Sequence, residues 1–246
     1  MSHKDNFDVV EELLKENYSF FEGTSIPLKK DLTFDNRYKK INNAVAVYLD
    51  MRGSRKIMFQ QNAYKSLKTH RAFLQSFISC IDEHSGKFRS FNGDGALAFF
   101  HGEDASARAV VACMQFHAYI NKMNGILGER NMLMVDYGVG VARGTIYVAK
   151  TGKRGGNLTR QDLVWVGEPT YEAVELSDQG KGNLHTWISK EVYDFIVYQD
   201  RNSKYNIITS DDGNDTNIWH PINRESSDGK IKKAYATGYY FNNILN

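Results

Sequence analysis

Between Ala44 and Val166 the hydrophobic pattern alternates between short β-branched runs and longer stretches of helical period. That alternation limits the fold more than any other feature of the chain. Ala44-Val45-Ala46-Val47-Tyr48-Leu49 is short, apolar and rich in valine, as a buried strand requires, and it ends in Asp50-Met51-Arg52-Gly53-Ser54. From Lys56 to Ile81 the period changes. Leu67, Leu74, Phe77, Ile78 and Ile81 recur at helical spacing and predict one long amphipathic helix, stopped by Ser85-Gly86. Lys87–Phe91 and Ala96–Phe100 read as strands around Asn92-Gly93-Asp94-Gly95, a turn whose residues tolerate positive φ. A second helix carries Ala109, Cys113, Phe116, Ile120 and Met123. Met132–Val141 then reads as a strand, Gly144 as a turn into Thr145–Ala149, and Leu163–Val166 as another strand.

The order strand, helix, strand, strand, helix, strand (βαββαβ) is a split βαβ, ferredoxin-like pattern. It predicts an α+β domain with an antiparallel sheet, helices on one face, and extra strands and helices at the C-terminal end. Val9–Phe21 reads as a short N-terminal helix and Glu22–Ile41 as a lead-in, so residues 1–43 precede a domain at 44–246 whose extension starts near residue 196. Beyond the core, Thr170–Ser177 reads as a helix, Leu184–Ile188 as a strand, Asp211–Asp215 as a polar turn and Ala234–Phe241 as a last strand.

Composition narrows the function classes. At 246 residues and 41% hydrophobic content the chain can bury a substantial core, and a net charge of +2 is too small to argue for a nucleic-acid or membrane surface. Two cysteines, Cys80 and Cys113, sit in helical patterns and read as reduced core thiols. No run reaches the ~20 apolar residues of a membrane span, and the N-terminus lacks a signal-peptide core. A cytoplasmic protein is the expectation.

The chemistry-bearing residues are carboxylates. Asp50 ends one strand and Asp94 sits at the tip of the hairpin expected beside it, so both project from one end of the sheet. Hard oxygen donors in that arrangement suit Mg²⁺ or Mn²⁺. Arg52, Gly53 and Ser54 follow Asp50 at the opening of the long helix, where backbone N–H groups can meet phosphate. Tyr48 lies two residues before Asp50 and faces the same side. Trp165 reads as core, and His70 and His117 as ordinary helix residues.

On these segments the chain resembles the class III nucleotidyl cyclases. Ala44–Gly53 is similar to their first strand with its metal aspartate. Phe91–Phe99 is similar to their Gly-Asp hairpin, Tyr137–Ile146 to their strand-Gly-strand segment, and Asp162–Gly167 to the strand before their catalytic helix. The resemblance implies the class III cyclase fold and a homodimer with active sites at the interface. It also implies two divalent metals, Mg or Mn, held by Asp50, Asp94 and the Met51 backbone, and release of pyrophosphate as the ribose 3′-oxygen attacks the α-phosphorus.

Where these cyclases place an adenine-reading lysine and an acidic or polar partner, this chain has Ser90 and Val164. Tyr171 replaces their ribose-orienting asparagine and Glu175 their transition-state arginine. Arg143 and Arg160, with Lys150 and the Lys153-Arg154 pair, are the candidates to replace that cation. The combined pattern looks most like the pyrimidine cyclases of bacterial anti-phage (Pycsar) systems, which make cyclic UMP or CMP for a separate effector. Tyr48, Ser90, Asn92, Val164 and Tyr171 are then the expected pocket residues. A purine cyclase, or a cyclase-like module that binds nucleotide without turnover, are the competing expectations.

Overall fold

The computed structural model describes residues 3–34, 37–152, 160–200, 207–209 and 217–241. Its elements follow in chain order: α1 (His3–Lys15), β1 (Ser19–Glu22), β2 (Arg37–Arg52), α2 (Ser54–Gln60), α3 (Ala63–Glu83), β3 (Lys87–Asn92), β4 (Gly95–Phe100), α4 (Ala105–Glu129), β5 (Asp136–Gly152), β6 (Gln161–Val166), α5 (Glu168–Gln179), β7 (Thr186–Ser189), α6 (Lys190–Asp200), β8 (His220–Glu225) and β9 (Ile231–Thr237). The main path through the sheet is β3-β4-β2-β5-β7-β9-β8. β1 joins the first half of β2, and β6 joins the second half of β5.

β2 and β5 are the frame, antiparallel over most of their length, with a register shift between Ile41 and Ala44. Alternation along β2 divides the interior in two. Val45, Val47, Leu49 and Met51 face a first core with α3, α4 and α6. There Phe73, Phe77, Phe116 and Tyr137 meet edge to face, with ring centroids 5.0–6.1 Å apart. Ala44, Ala46 and Tyr48 face a second core with α5 and β6, where Trp165 stacks on Phe99 at 4.5 Å. Cys80 and Cys113 are buried and unlinked. Among the described residues no helix is long and apolar enough to cross a membrane.

Several expected elements are corrected. The long helix is two, because Asn62 interrupts it: its side chain accepts from the Lys65 N–H at 2.9 Å and starts α3 afresh. The N-terminal helix stops at Lys15, and Ser19–Glu22 is instead a strand pairing parallel to β2. Glu22–Ile41 is therefore more than a lead-in, and Ile26 and Leu32 are buried in the second core. Gly144 makes no turn, and β5 runs through it for 17 residues. A Cβ there would lie 3.2 Å from the Pro169 ring, so the glycine answers to packing. The helices do not all share one face, since α5 lies opposite α3 and α4. Two pairings, β1–β2 and β5–β7, are parallel. The last strand ends at Thr237 rather than Phe241, and α6 and β8 were not foreseen. Residues 211–215 lie outside the described residues.

Candidate active site

The register of β2, β4 and β3 lines up one face. Tyr48 lies opposite Leu97 on one side and Gly140 on the other, and Leu97 lies opposite Ser90. Cross-strand partners share a face, so Ser90 and Tyr48 point the same way, and Asn92 joins them two residues on. The Asn92 side-chain amide donates to the Tyr48 hydroxyl at 3.1 Å. A Cβ on Gly95 would lie 2.7 Å from that hydroxyl. Glycine after Asp94 thus serves the tyrosine as well as the turn, whose sharpest residue is Gly93 at φ 65°.

Asp50 stands on the same face, one step nearer the C-terminal end of β2. Burial pushes its carboxyl above the usual range. Arg52 opposes this, while Asp94 and Asp178 add to it. Burial also raises the Tyr48 phenol. The Asn92 hydrogen bond pulls it down, and Asp50, Asp94 and Asp178 push it up. The carboxylates therefore share one field with the tyrosine hydroxyl among them.

The Arg52 guanidinium is turned inward. Nη1 donates to Asp50 Oδ2 at 2.5 Å and approaches Asp178 Oδ1 at 3.5 Å. Nε donates to the Gly180 carbonyl at 3.0 Å and Nη2 to the Ser177 carbonyl. Those carbonyls end α5, and α5 reaches them only because β5 carries glycines. A Cβ at Gly138 would lie 2.0 Å from Ser177 O, and one at Gly140 1.9 Å from Ala173 O. Gly53, left-handed at φ 66°, ends β2 and caps α2. A cavity of about 260 Å³ opens beside it, lined in part by Arg52, Lys56, Met134 and Asp136. Ser54 is half-buried next to it. Met51 lies in the ladder opposite Tyr137 with its side chain in the first core.

Among the described residues no three His, Cys, Asp or Glu side chains converge as a ready-made metal cage. What the end of β2 and the hairpin provide is a pair of hard carboxylates. That donor set fits Mg²⁺ or Mn²⁺, which take one or two carboxylates and complete their shells with water and phosphate oxygens.

No family model matches the chain. It is 25% identical over 199 residues to a uridylate cyclase of Xanthomonas perforans, covering 78% of this chain and 82% of that one. It is 25% identical over 179 residues to a uridylate cyclase of Rhodovulum sp. (strain MB263), covering 70% and 72%. The crystal structure of the adenylyl cyclase CyaB from P. aeruginosa superposes with a TM-score of 0.64 at 14% identity, over 81% of this chain and 95% of that one. The fold is that of the class III nucleotidyl cyclases.

Within that class III cyclase fold the remaining expected residues separate. Val164 lies on the opposite side of β6 from Trp165 and is 42% exposed, and Tyr171 on α5 is 60% exposed. Arg143 is on the other face of the sheet from Asp50: its guanidinium lies 3.9 Å from the Phe195 ring centroid and donates to Ser106 Oγ at 3.2 Å. The sheet stands between this arginine and the carboxylates, so one chain does not bring it to them. Arg160 is exposed just before β6. Lys150 stands over the Phe34 ring at 5.4 Å. Lys153 and Arg154 lie outside the described residues.

Glu175, at the cyclase arginine position, is held by Arg224 of β8 at 2.7 Å, and the same guanidinium donates to Glu172 at 2.9 Å. Sequence reasoning missed Arg224, Asp178 and Lys56. Glu172 and Glu175, three apart on one helix, hinted at a cationic partner but not at where along the chain it would come from.

Proposed function

We propose that the chain closes a pyrimidine nucleoside triphosphate, UTP ahead of CTP, into its 3′,5′-cyclic monophosphate and pyrophosphate. The row of Ser90, Asn92 and Tyr48 beside Asp50 carries the proposal. Asp50 and Asp94 would hold two divalent ions, Mg or Mn, with the Met51 peptide oxygen. Such ions neutralise triphosphate charge and favour in-line displacement. Tyr48, tied to Asn92, narrows the pocket toward a small base. Ser90 and Val164 give a purine no partner for its amine and ring nitrogens, and each buried polar edge left unpaired costs about 1–3 kcal/mol. The uridylate cyclase relatives support the same base. Val164 lies on the sheet face away from Asp50, and Val164 and Tyr171 are both exposed and open to a second chain, which supports a two-fold homodimer with its sites between subunits. The cyclic product would act through a separate effector, as in anti-phage signalling.

A second reading is nucleotide binding without turnover. It is favoured by Glu175, a carboxylate engaged with Arg224 where a class III cyclase is expected to carry a cation.

Incubation of the purified protein with each of the four ribonucleoside triphosphates and Mn²⁺, with products identified by mass spectrometry, tests both readings. The expected outcome is cyclic UMP or CMP formed at least about tenfold faster than any purine product, equivalent to ~1.4 kcal/mol. Asp50→Ala and Asp94→Ala should abolish it with circular dichroism unchanged. Equal cyclisation of ATP or GTP refutes the pocket argument. Binding without any product establishes the second reading.

A further inference from the structure

We propose that Arg52 is a positioning residue for Asp50 and the C-terminal cap of α5, and does not bind the triphosphate. This rests on the reading of Asp50 as a metal ligand. A sequence places Arg52 in the turn after the metal aspartate, where a phosphate contact is the ordinary expectation. The geometry assigns it elsewhere. The side chain is 24% exposed, and each nitrogen of its guanidinium is already engaged. Nε donates to the carbonyl of the cap residue Gly180, and Nη2 to the Ser177 carbonyl, which also accepts the Gly180 N–H, so the guanidinium adds to the cap at the end of α5. The positive charge also sits at the negative end of the α5 dipole.

Nη1 holds Oδ2 of Asp50 and leans toward Asp178. One carboxylate oxygen of Asp50 is thereby fixed while the other remains available as a ligand. Gly138 makes the arrangement possible, since a Cβ there would lie 3.0 Å from Nη2. Arg52 therefore joins two elements that the sequence separates by more than a hundred residues, the end of β2 and the end of α5. The orientation of the metal aspartate and the seating of α5 become one structural variable. Outer partners of ligating carboxylates set metal affinity, and their loss typically weakens it by 10–100-fold.

Arg52→Met keeps most of the stem and removes the fork. Arg52→Lys keeps the charge, but a single ammonium cannot span the same acceptors. Mn²⁺ affinity of the substrate-free protein is read from the electron paramagnetic resonance signal of unbound Mn²⁺, and KM and kcat for UTP are read at saturating Mn²⁺. Arg52→Met is expected to weaken Mn²⁺ binding about tenfold and leave KM for UTP within about twofold, with Arg52→Lys in between and Asp178→Asn smaller still. Unchanged or tighter Mn²⁺ binding together with a tenfold rise in KM would overturn the assignment and make Arg52 a phosphate ligand. Asp50→Ala serves as the reference. If it too leaves Mn²⁺ binding unchanged, the metal reading fails, whereas an effect in Asp50→Ala with none in either Arg52 variant refutes only the role of Arg52. If Arg52→Met does not fold, Arg52→Lys and Asp178→Asn decide the matter by the same two measurements.

Discussion

The contact between α5 and β5 gives a test in which one chemical change has opposite effects at two places. At Gly140 an added methyl would lie 1.9 Å from the Ala173 carbonyl oxygen and 2.6 Å from the Ser177 nitrogen. Both are backbone atoms of a helix and cannot swing aside. Non-bonded atoms settle at about 3.5 Å, so α5 has to withdraw by roughly 1.6 Å. That movement loosens Ala173 and Leu176 from the second core. Overpacking of this kind costs about 1–3 kcal/mol, and the rigidity of the neighbour places Gly140→Ala at or above the upper end. At Gly125, inside α4, the added methyl meets nothing within 4 Å. There alanine only improves helix propensity and should stabilise by about 0.5–1 kcal/mol. The two variants should therefore differ by about 4 kcal/mol in urea unfolding followed by tryptophan fluorescence, with Trp165, Trp187 and Trp219 as reporters. Gly140→Ala should also lose turnover at temperatures where it remains folded, because Ser177 and Asp178 move with the helix. A Gly140→Ala protein as stable as Gly125→Ala would refute the close approach of α5.

Arg224→Ala should cost about 3–5 kcal/mol in the same assay, because it leaves Glu172 buried without its guanidinium. His117 is buried beside His185, and burial with that neighbour pushes its pKa down from 6.5 to about 3. The folded state then binds fewer protons than the unfolded chain between those values. Its stability is fully present above pH 6.5 and declines by up to about 1.4 kcal/mol per unit as pH falls toward 3. His117→Gln should flatten that part of the stability–pH curve, and an unchanged slope would remove His117 as its source. Asp94→Asn removes a negative charge that Asp50 faces. It should leave thermal stability equal or higher while turnover is lost, and a large drop in melting temperature would mean a structural role instead.

The frame of the sheet was legible because each of its signals is local. The valine-rich run before Asp50, the Asn-Gly-Asp-Gly turn and the helical stripes of α3 and α4 are read within a few residues, and they place Asp50 near the end of β2 and Asp94 in the hairpin turn between β3 and β4. One misreading concerns a residue whose reason lies elsewhere in the fold. Gly144 suggested a turn, but its cause is Pro169, 25 residues further on. The contacts of the Arg52 side chain with the end of α5 likewise have no sign in the residues around it. Two others were open to local reading. Asn62 is a good cap in the middle of a helical pattern. Asp228-Gly229 is a hairpin signal of the same kind as Asp94-Gly95, and it does turn β8 into β9, with Gly229 at φ 76°. Nothing local showed that Arg224 would be the partner of Glu172 and Glu175. It arises only when the sheet brings β8 against α5.

That partnership constrains how such a chain can change over generations. Arginine at position 175 would face the Arg224 guanidinium in a site where the latter's side chain is only 6% exposed, and two cations there would repel with little water to screen them. Loss of Arg224 first would strand Glu172. A lineage moving between glutamate and arginine at 175 must therefore alter β8 and α5 in a particular order, or pass through a poorly folded intermediate. Residue 175 and the C-terminal hairpin form one electrostatic unit, and transplanting one without the other between relatives should fail even where each is sound in its own background.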